Sequence, residues 1–466
     1  MKAKQASIFT LLKQAILGTE LNFTEGSINR AIFLLSVPMI IEMGMESVFA
    51  IVDIYFVSRL NDNNAVATIG LTELALTIIY SVAMGVSMGA TALVARRIGE
   101  KDEKGASIAA VQAIYIGIFF AAVFTIVGLI WSGDVLRLVG AEEQVIETGS
   151  SFTRVMLCGN IVIMMLFLIN GIFRGAGNAA IAMKALVLAN LLNIILDPIF
   201  IFGFGPVPAL GVTGAAVATT IGRGTGVLLQ LYYLFRGNSI VKINSRNMPL
   251  KWDIVWTMLK VSAGATGNFL ISSASWVVLG RIIARFGTQA VAGYTLAIRV
   301  VVFTILPSFG MANAAATLVG QNLGAKQPER AETSVWRAGL FNMIFLGLVM
   351  VLFLLTAEWI MRIFTNDEVV IGYGTRALQV MAFGYILYGY GMVVSQAFNG
   401  AGDTLTPTLI SLFGFWFFQI PLAYLLALHW GWGTTGVYAA IPIAEGVMAI
   451  VGIIIFKRGK WKNVKL

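Results

Sequence analysis

The chain has 466 residues, 58% of them hydrophobic and 12% charged, with a mean hydropathy of +0.85. A soluble globular chain carries about 25% charged residues, so half that share points to lipid as the solvent. One Cys (Cys158) and one His (His429) exclude an internal disulfide, a Cys/His zinc site and a Cys–His nucleophile pair, and with them most enzyme readings.

Residues 1–28 are mixed and charged, with no apolar core leading to a small-residue cleavage site, so the first apolar helix is expected to be retained. A spanning helix needs about 20 mostly apolar residues. Twelve such spans are predicted, at 33–58, 66–95, 107–132, 150–172, 181–203, 212–235, 255–284, 291–318, 335–356, 374–397, 407–428 and 434–456. The breaks between them carry Gly, Pro, Asn or charge, as in "RLNDNN", "GEKDEKG" and "FGFGPVPALG".

Lys and Arg set the orientation. They gather at the N-terminus (Lys2, Lys4, Lys13, Arg30), after the second span (Arg96, Arg97, Lys101, Lys104), after the sixth (Arg236, Lys242, Arg246, Lys251), after the eighth (Lys326, Arg330) and beyond Lys457. The odd-numbered turns are poorer in base, so both termini are expected in the cytoplasm of an inner-membrane protein. This topology accounts for the net charge of +9 better than a nucleic-acid partner does.

The chain also repeats itself. "LVARRIGEKDEKGA" (93–106) matches "LVGQNLGAKQPERA" (318–331), and "FRGAGN" (173–178) matches "FNGAGD" (398–403), both at an offset of 225; "GVTGAA" (211–216) matches "GTTGVY" (433–438) at 222. Each half holds six predicted helices, an even number, so the expected fold is an all-α polytopic membrane protein with twelve transmembrane helices in two parallel six-helix repeats. The expected units are an N-terminal segment (1–28), a first lobe (29–235), a basic linker (236–253), a second lobe (254–456) and a basic tail (457–466).

The first span, "PMIIEMGMESVFAIVDIYFV", holds three acids and no Lys or Arg. At about 100° per residue, Glu46 lies about 40° from Glu42 and Asp53 about 20° from it, so the three share one stripe. Charges at membrane depth are costly and usually functional. The bland alternative for Asp53 is a surface ion pair with Arg59. In the fifth span Asn190, Asn193 and Asp197 share a face, and Pro198 should kink the helix beside the acid. Pro38 lies in the same helix as Asp53 and offers a hinge. At matched positions of the second half Asp53 becomes Val278, Asn193 becomes Phe418, and Asp197 becomes Leu422 or Gln419. The scaffold is duplicated and the acids are not, which points to ion chemistry in the first half. Glu73 and Glu445 stand alone, and Arg223 and Arg299 read as buried bases.

On these residues the chain resembles the multidrug and toxic compound extrusion (MATE) family over essentially all of 28–456. The likeness rests on Pro38 with Asp53, "RGAGN", and "NIILDPIFIFG" leading to "LGVTGAAVAT". The resemblance implies a V-shaped bundle and a cation-coupled efflux antiporter, in the branch with aspartates in the N-lobe (DinF-like). It implies that Asp53, Asp197 and Asn193 take up H⁺ or Na⁺, the only metal expected, and that Asn170, Asn190 and Glu46 line a substrate cavity. Glu42, Met43 and Phe49 complete that expected cavity, and its acids are read as having the cargo as their positive counterpart. The expected partners are cationic or amphipathic small molecules and membrane lipids, with no other cofactor and a monomeric chain. Another branch carries carboxylates in the seventh and tenth spans; this chain has none there, which argues against a cation site in the second half. A lipid-linked precursor flippase is the alternative function.

Overall fold

The computed structural model describes residues 8–18, 23–60, 62–237, 239–244 and 248–466. Lys2, Lys4 and Arg246 of the orientation argument, and part of the expected linker, lie outside the described residues. The first half contains α1 (Ile8–Leu17), α2 (Ile28–Ser58), α3 (Asn63–Gly99), α4 (Glu103–Leu138), α5 (Glu143–Cys158), α6 (Asn160–Gly175), α7 (Ala179–Phe202) and α8 (Val212–Phe235). The second contains α9 (Trp252–Ala284), α10 (Thr288–Gly324), α11 (Pro328–Phe364), α12 (Glu368–Ala382), α13 (Tyr385–Ala401), α14 (Leu405–His429) and a last helix, Thr434–Lys457.

Among the described residues ten helices are long and apolar enough to cross a membrane, α5 and α6 counting as one. The pair α12 and α13, bent by 60°, passes the same test as an eleventh. The predicted sixth span, α8, has 24 residues but falls short of that test, because Gly, Thr and Arg223 dilute its apolar content. Composition alone therefore carries eleven of the twelve predicted spans. α14 contains two π-helical stretches, Leu412–Gln419 and Leu425–His429, on either side of Pro421. Such widened turns recur at functional sites.

The repeat is written into the backbone. Lys101 (φ 60°) and Lys326 (φ 57°), 225 residues apart, both adopt the left-handed conformation that a side chain normally avoids. Gly177 and Gly402 pair at the same offset, and Gly211 and Gly433 at 222. The same turns thus end the same helices in both halves.

The halves meet through α2 against α10 and α3 against α9 and α10. Their closest approach is at the basic end. A Cβ on Gly99 would lie 1.9 Å from the Gln321 carbonyl oxygen, and one on Gly324 would lie 2.1 Å from that of Arg96. Glycine at both positions lets the helices touch backbone to backbone, as small residues do in membrane bundles. Hydrogen bonds across this end run from Gln321 Nε2 to the Gly175 carbonyl (3.0 Å) and from Arg96 Nη2 to the carbonyls of Ala401 and Val464 (3.2 Å each). At the far ends of the same helices Tyr55, Leu74, Ile78, Val277, Val302 and Phe303 are exposed. The two halves are thus joined backbone to backbone at the basic end.

The basic tail is folded rather than loose. Residues Lys460–Asn463 form a 3₁₀ turn, and Trp461 is fully buried, stacked on Phe456 at 4.6 Å between ring centroids. Lys462 pairs with Glu332 (2.6 Å) and Glu329 (3.3 Å).

Candidate ion-coupling site

α2 runs unbroken through Pro38, with α7 on one side and α10 on the other. Its acid stripe faces the interior of the first half, and each acid meets a different partner there. Glu42 Oε1 lies 3.5 Å from Arg174 Nη1, both side chains buried, and Arg174 Nη2 donates to Ser87 Oγ at 2.9 Å. Glu46 Oε1 accepts from Arg223 Nη2 at 2.8 Å. The Arg223 guanidinium also lies over the rings of Phe49 (4.6 Å) and Tyr80 (5.7 Å). The reading that the cargo supplies the positive counterpart of all three acids is therefore corrected. Arg174 and Arg223 neutralise Glu42 and Glu46 from other helices, which offsets the cost of burying those carboxylates.

Asp53 has no such partner. Its Oδ2 accepts from Thr219 Oγ1 at 3.0 Å. Asn193 Nδ2 donates to Thr219 Oγ1 (3.3 Å) and to Asp197 Oδ1 (3.1 Å). The chain Asp53–Thr219–Asn193–Asp197 links α2, α8 and α7 in one buried polar cluster. Asp53 Oδ1, Asn193 Oδ1 and Asp197 Oδ2 are buried with no donor from the chain. Two carboxyl groups share two donors, so the cluster presents surplus acceptor oxygens, the chemistry that a proton or a hard cation satisfies. The proposed surface ion pair of Asp53 with Arg59 is absent: Arg59 Nη2 donates to Tyr55 Oη at 2.9 Å.

The other expected cavity residues are buried inside the same half. Asn170 Oδ1 accepts from Gln230 Nε2, and Asn190 Nδ2 donates to the Leu186 carbonyl at 2.9 Å. Met43 and Phe49 are buried, and Glu46 is partly exposed. α7 continues past Pro198 to Phe202. Arg299 is exposed, not buried as its apolar neighbours suggested. Sequence reasoning missed Thr219, Arg174 and Ser87, whose polar side chains lie on other helices than α2. Arg174 carried one faint signal: it stands in "FRGAGN" where the repeat has Asn399.

An all-helical bundle of two repeated halves, joined at one end, with carboxylates buried behind its first long helix, is the architecture of a multi-pass membrane transporter. The sequence model of the MatE family matches residues 38–199 and 265–425, and the chain belongs to that family of efflux transporters. It is 25% identical over 438 residues to the "Probable multidrug resistance protein NorM" of Thermotoga maritima, covering 94% of each chain. It is 24% identical over 433 residues to the "Multidrug export protein MepA" of Staphylococcus aureus, covering 93% of this chain and 94% of that one. Among solved structures, a MATE protein crystallised in complex with MaL6 superposes with a TM-score of 0.90 at 30% identity, over 96% of this chain and 100% of the other.

Proposed function

We propose that the protein is a secondary active antiporter of the plasma (inner) membrane. It exports cationic or amphipathic small molecules in exchange for H⁺ or Na⁺, acts as a monomer and keeps both termini in the cytoplasm. The observation that carries this reading is the Asp53–Thr219–Asn193–Asp197 cluster, whose two aspartates with surplus acceptors have no counterpart at the matched positions of the second half. The multidrug relatives support the substrate class.

With Glu42 and Glu46 paired to arginines, Asp53 and Asp197 are the acids of α2 and α7 left to respond to an ion. In this reading the end of the bundle away from the basic turns faces outward, and a proton or Na⁺ reaches the aspartates from there. Two carboxylates held this close do not both stay charged without a counter-ion, so the cluster has a standing demand for one. Neutralising it releases an organic cation held against the same face, and Thr219 and Asn193 reset their hydrogen bonds. One charge crossing 100 mV supplies about 2.3 kcal/mol, enough to bias the cycle more than tenfold. Of the two bases that favoured the flippase alternative, Arg223 is engaged by Glu46 and Arg299 is exposed, which leaves that alternative the weaker reading.

Transport of a fluorescent cation into inverted vesicles tests the proposal, under a pH gradient and then a Na⁺ gradient. Wild-type protein should respond to one of the two, and Asp53→Asn should abolish the response while the protein still inserts. Normal transport by that variant, or indifference of the wild type to both gradients, would sink the antiporter reading.

A further inference from the structure

The second half holds a partly open cavity of ≈ 250 Å³ lined by α9, α10, α13, α14 and the last helix. Its polar lining includes Asn268, Ser272, Gln396, Asn399 and Glu445, and its apolar walls include Trp276, Tyr388 and Phe415. A second, smaller cavity touches Glu445 from the side of Tyr385 and Pro442.

The charge of this cavity follows from the repeat. Position 445 corresponds to 223 (445 − 223 = 222), so Glu445 stands where the first half has Arg223; position 399 corresponds to 174 (399 − 174 = 225), so Asn399 stands where it has Arg174. The two arginines that neutralise the first half are thus an amide and an acid in the second. Among the described residues no Lys or Arg lies within ion-pair distance of Glu445. Asn399 is 3% exposed; its Nδ2 donates to Gln396 Oε1 at 2.8 Å, and its Oδ1 has no donor from the chain. Asn268 Oδ1, across the cavity on α9, also has none. The Glu445 carboxylate therefore lines this space with no cation from the chain, beside the rings of Trp276, Tyr388 and Phe415. Buried acceptors of this kind require a donor or a positive charge.

We propose that this cavity binds a small organic ammonium ion. Glu445 neutralises the cationic centre and accepts its N–H bonds, and an aromatic wall packs its apolar part, the ring faces adding cation–π attraction. No group of three or more His, Cys, Asp or Glu that could hold a metal occurs among the described residues, and the wall is mainly apolar, so the site suits an organic cation better than a bare metal ion. The volume is at the low end for ligand pockets, which run from about 300 to 1,000 Å³, so the ligand is amine-sized rather than drug-sized. The proposal departs from the expectation that the second half lacks a cation site: the seventh and tenth spans have no acid, but the twelfth carries Glu445. The inference extends the substrate class of the antiporter reading to a second site.

Calorimetric titration of benzylammonium into the full-length protein in lipid nanodiscs tests it. Binding is expected in the wild type and in Asp53→Asn; in the Asp53→Asn background, which removes the first-half site, it should be at least about tenfold weaker on adding Glu445→Gln, and absent on adding Ser272→Phe, which fills the cavity without touching the carboxylate. Benzyl alcohol, the neutral analogue, should not bind. The proposal is overturned if the wild type does not bind the amine, if both cavity variants bind like Asp53→Asn alone, or if benzyl alcohol binds equally. It is also overturned if Na⁺ alone displaces the amine at equal concentration, which would make this a metal site. Each of these outcomes is independent of whether Asp53→Asn abolishes coupled efflux.

Discussion

Replacing Arg174 by Met is expected to destabilise the folded protein by about 3–5 kcal/mol, because the change strands the Glu42 carboxylate in the interior. The side chains of Glu42 and Arg174 are 1% and 7% exposed, and their charged atoms are 3.5 Å apart. At that distance and an effective dielectric constant of about 20, the attraction amounts to about 5 kcal/mol. The Arg174 bond to Ser87, 2.9 Å, is lost as well. The double variant Glu42→Gln with Arg174→Met removes both charges and keeps most of the volume, so it should recover the larger part of the loss. Unfolding of the two variants and the wild type in mixed detergent micelles, followed by tryptophan fluorescence, measures the difference. A single variant within about 1 kcal/mol of wild type, or a double variant no more stable than the single, would refute the view that this pair exists to neutralise α2.

Thr219→Val removes the hydroxyl that donates to Asp53 and accepts from Asn193, at a cost of about 1 kcal/mol; the concentration of H⁺ or Na⁺ that half-activates transport should shift about fivefold, and an unchanged value would remove Thr219 from the site. Gly99→Leu places a side chain where the Gln321 carbonyl lies 1.9 Å from the new Cβ, so it should force the basic end open; a cysteine at position 95 in a Cys158→Ser background should then react faster with a membrane-impermeant thiol reagent. Trp461→Ala leaves a cavity at a fully buried position, costing about 3–5 kcal/mol locally, and amide exchange in 457–466 should accelerate while the core is unchanged. In the same turn the hydrogen bond to Glu332 raises the Lys462 ammonium above the usual lysine range. A raised lysine contributes fully below its unfolded value and loses the contribution as pH rises through the folded one, so docking of the turn should weaken only in strongly alkaline solution.

The membrane class, the helix succession and the repeat were legible in the sequence because each is a local property. Apolar length, basic turns and the 225-residue offset require no knowledge of what touches what, and Lys101 and Lys326 show the offset carried through to matching backbone strain. The acid stripe of α2 was legible for the same reason, since helical periodicity places Glu42, Glu46 and Asp53 together. α8 was harder, because its polar residues lower its apolar content while serving the interior: Thr219 and Arg223 hold two of the three acids.

The sequence could not say what those acids meet. Glu42 finds Arg174 across 132 positions and Glu46 finds Arg223 across 177, distances along the chain over which no pattern is readable. Packing alone separated the paired acids from Asp53 and Asp197, which share donors instead of cations. It likewise turned Glu445 from an isolated acid in the last helix into the charged wall of a cavity. By itself the sequence determined a duplicated helical membrane protein with acids on its first long helix. The tertiary structure decided which of those acids are neutralised, because a buried charge is fixed by the group beside it and not by its neighbours along the chain.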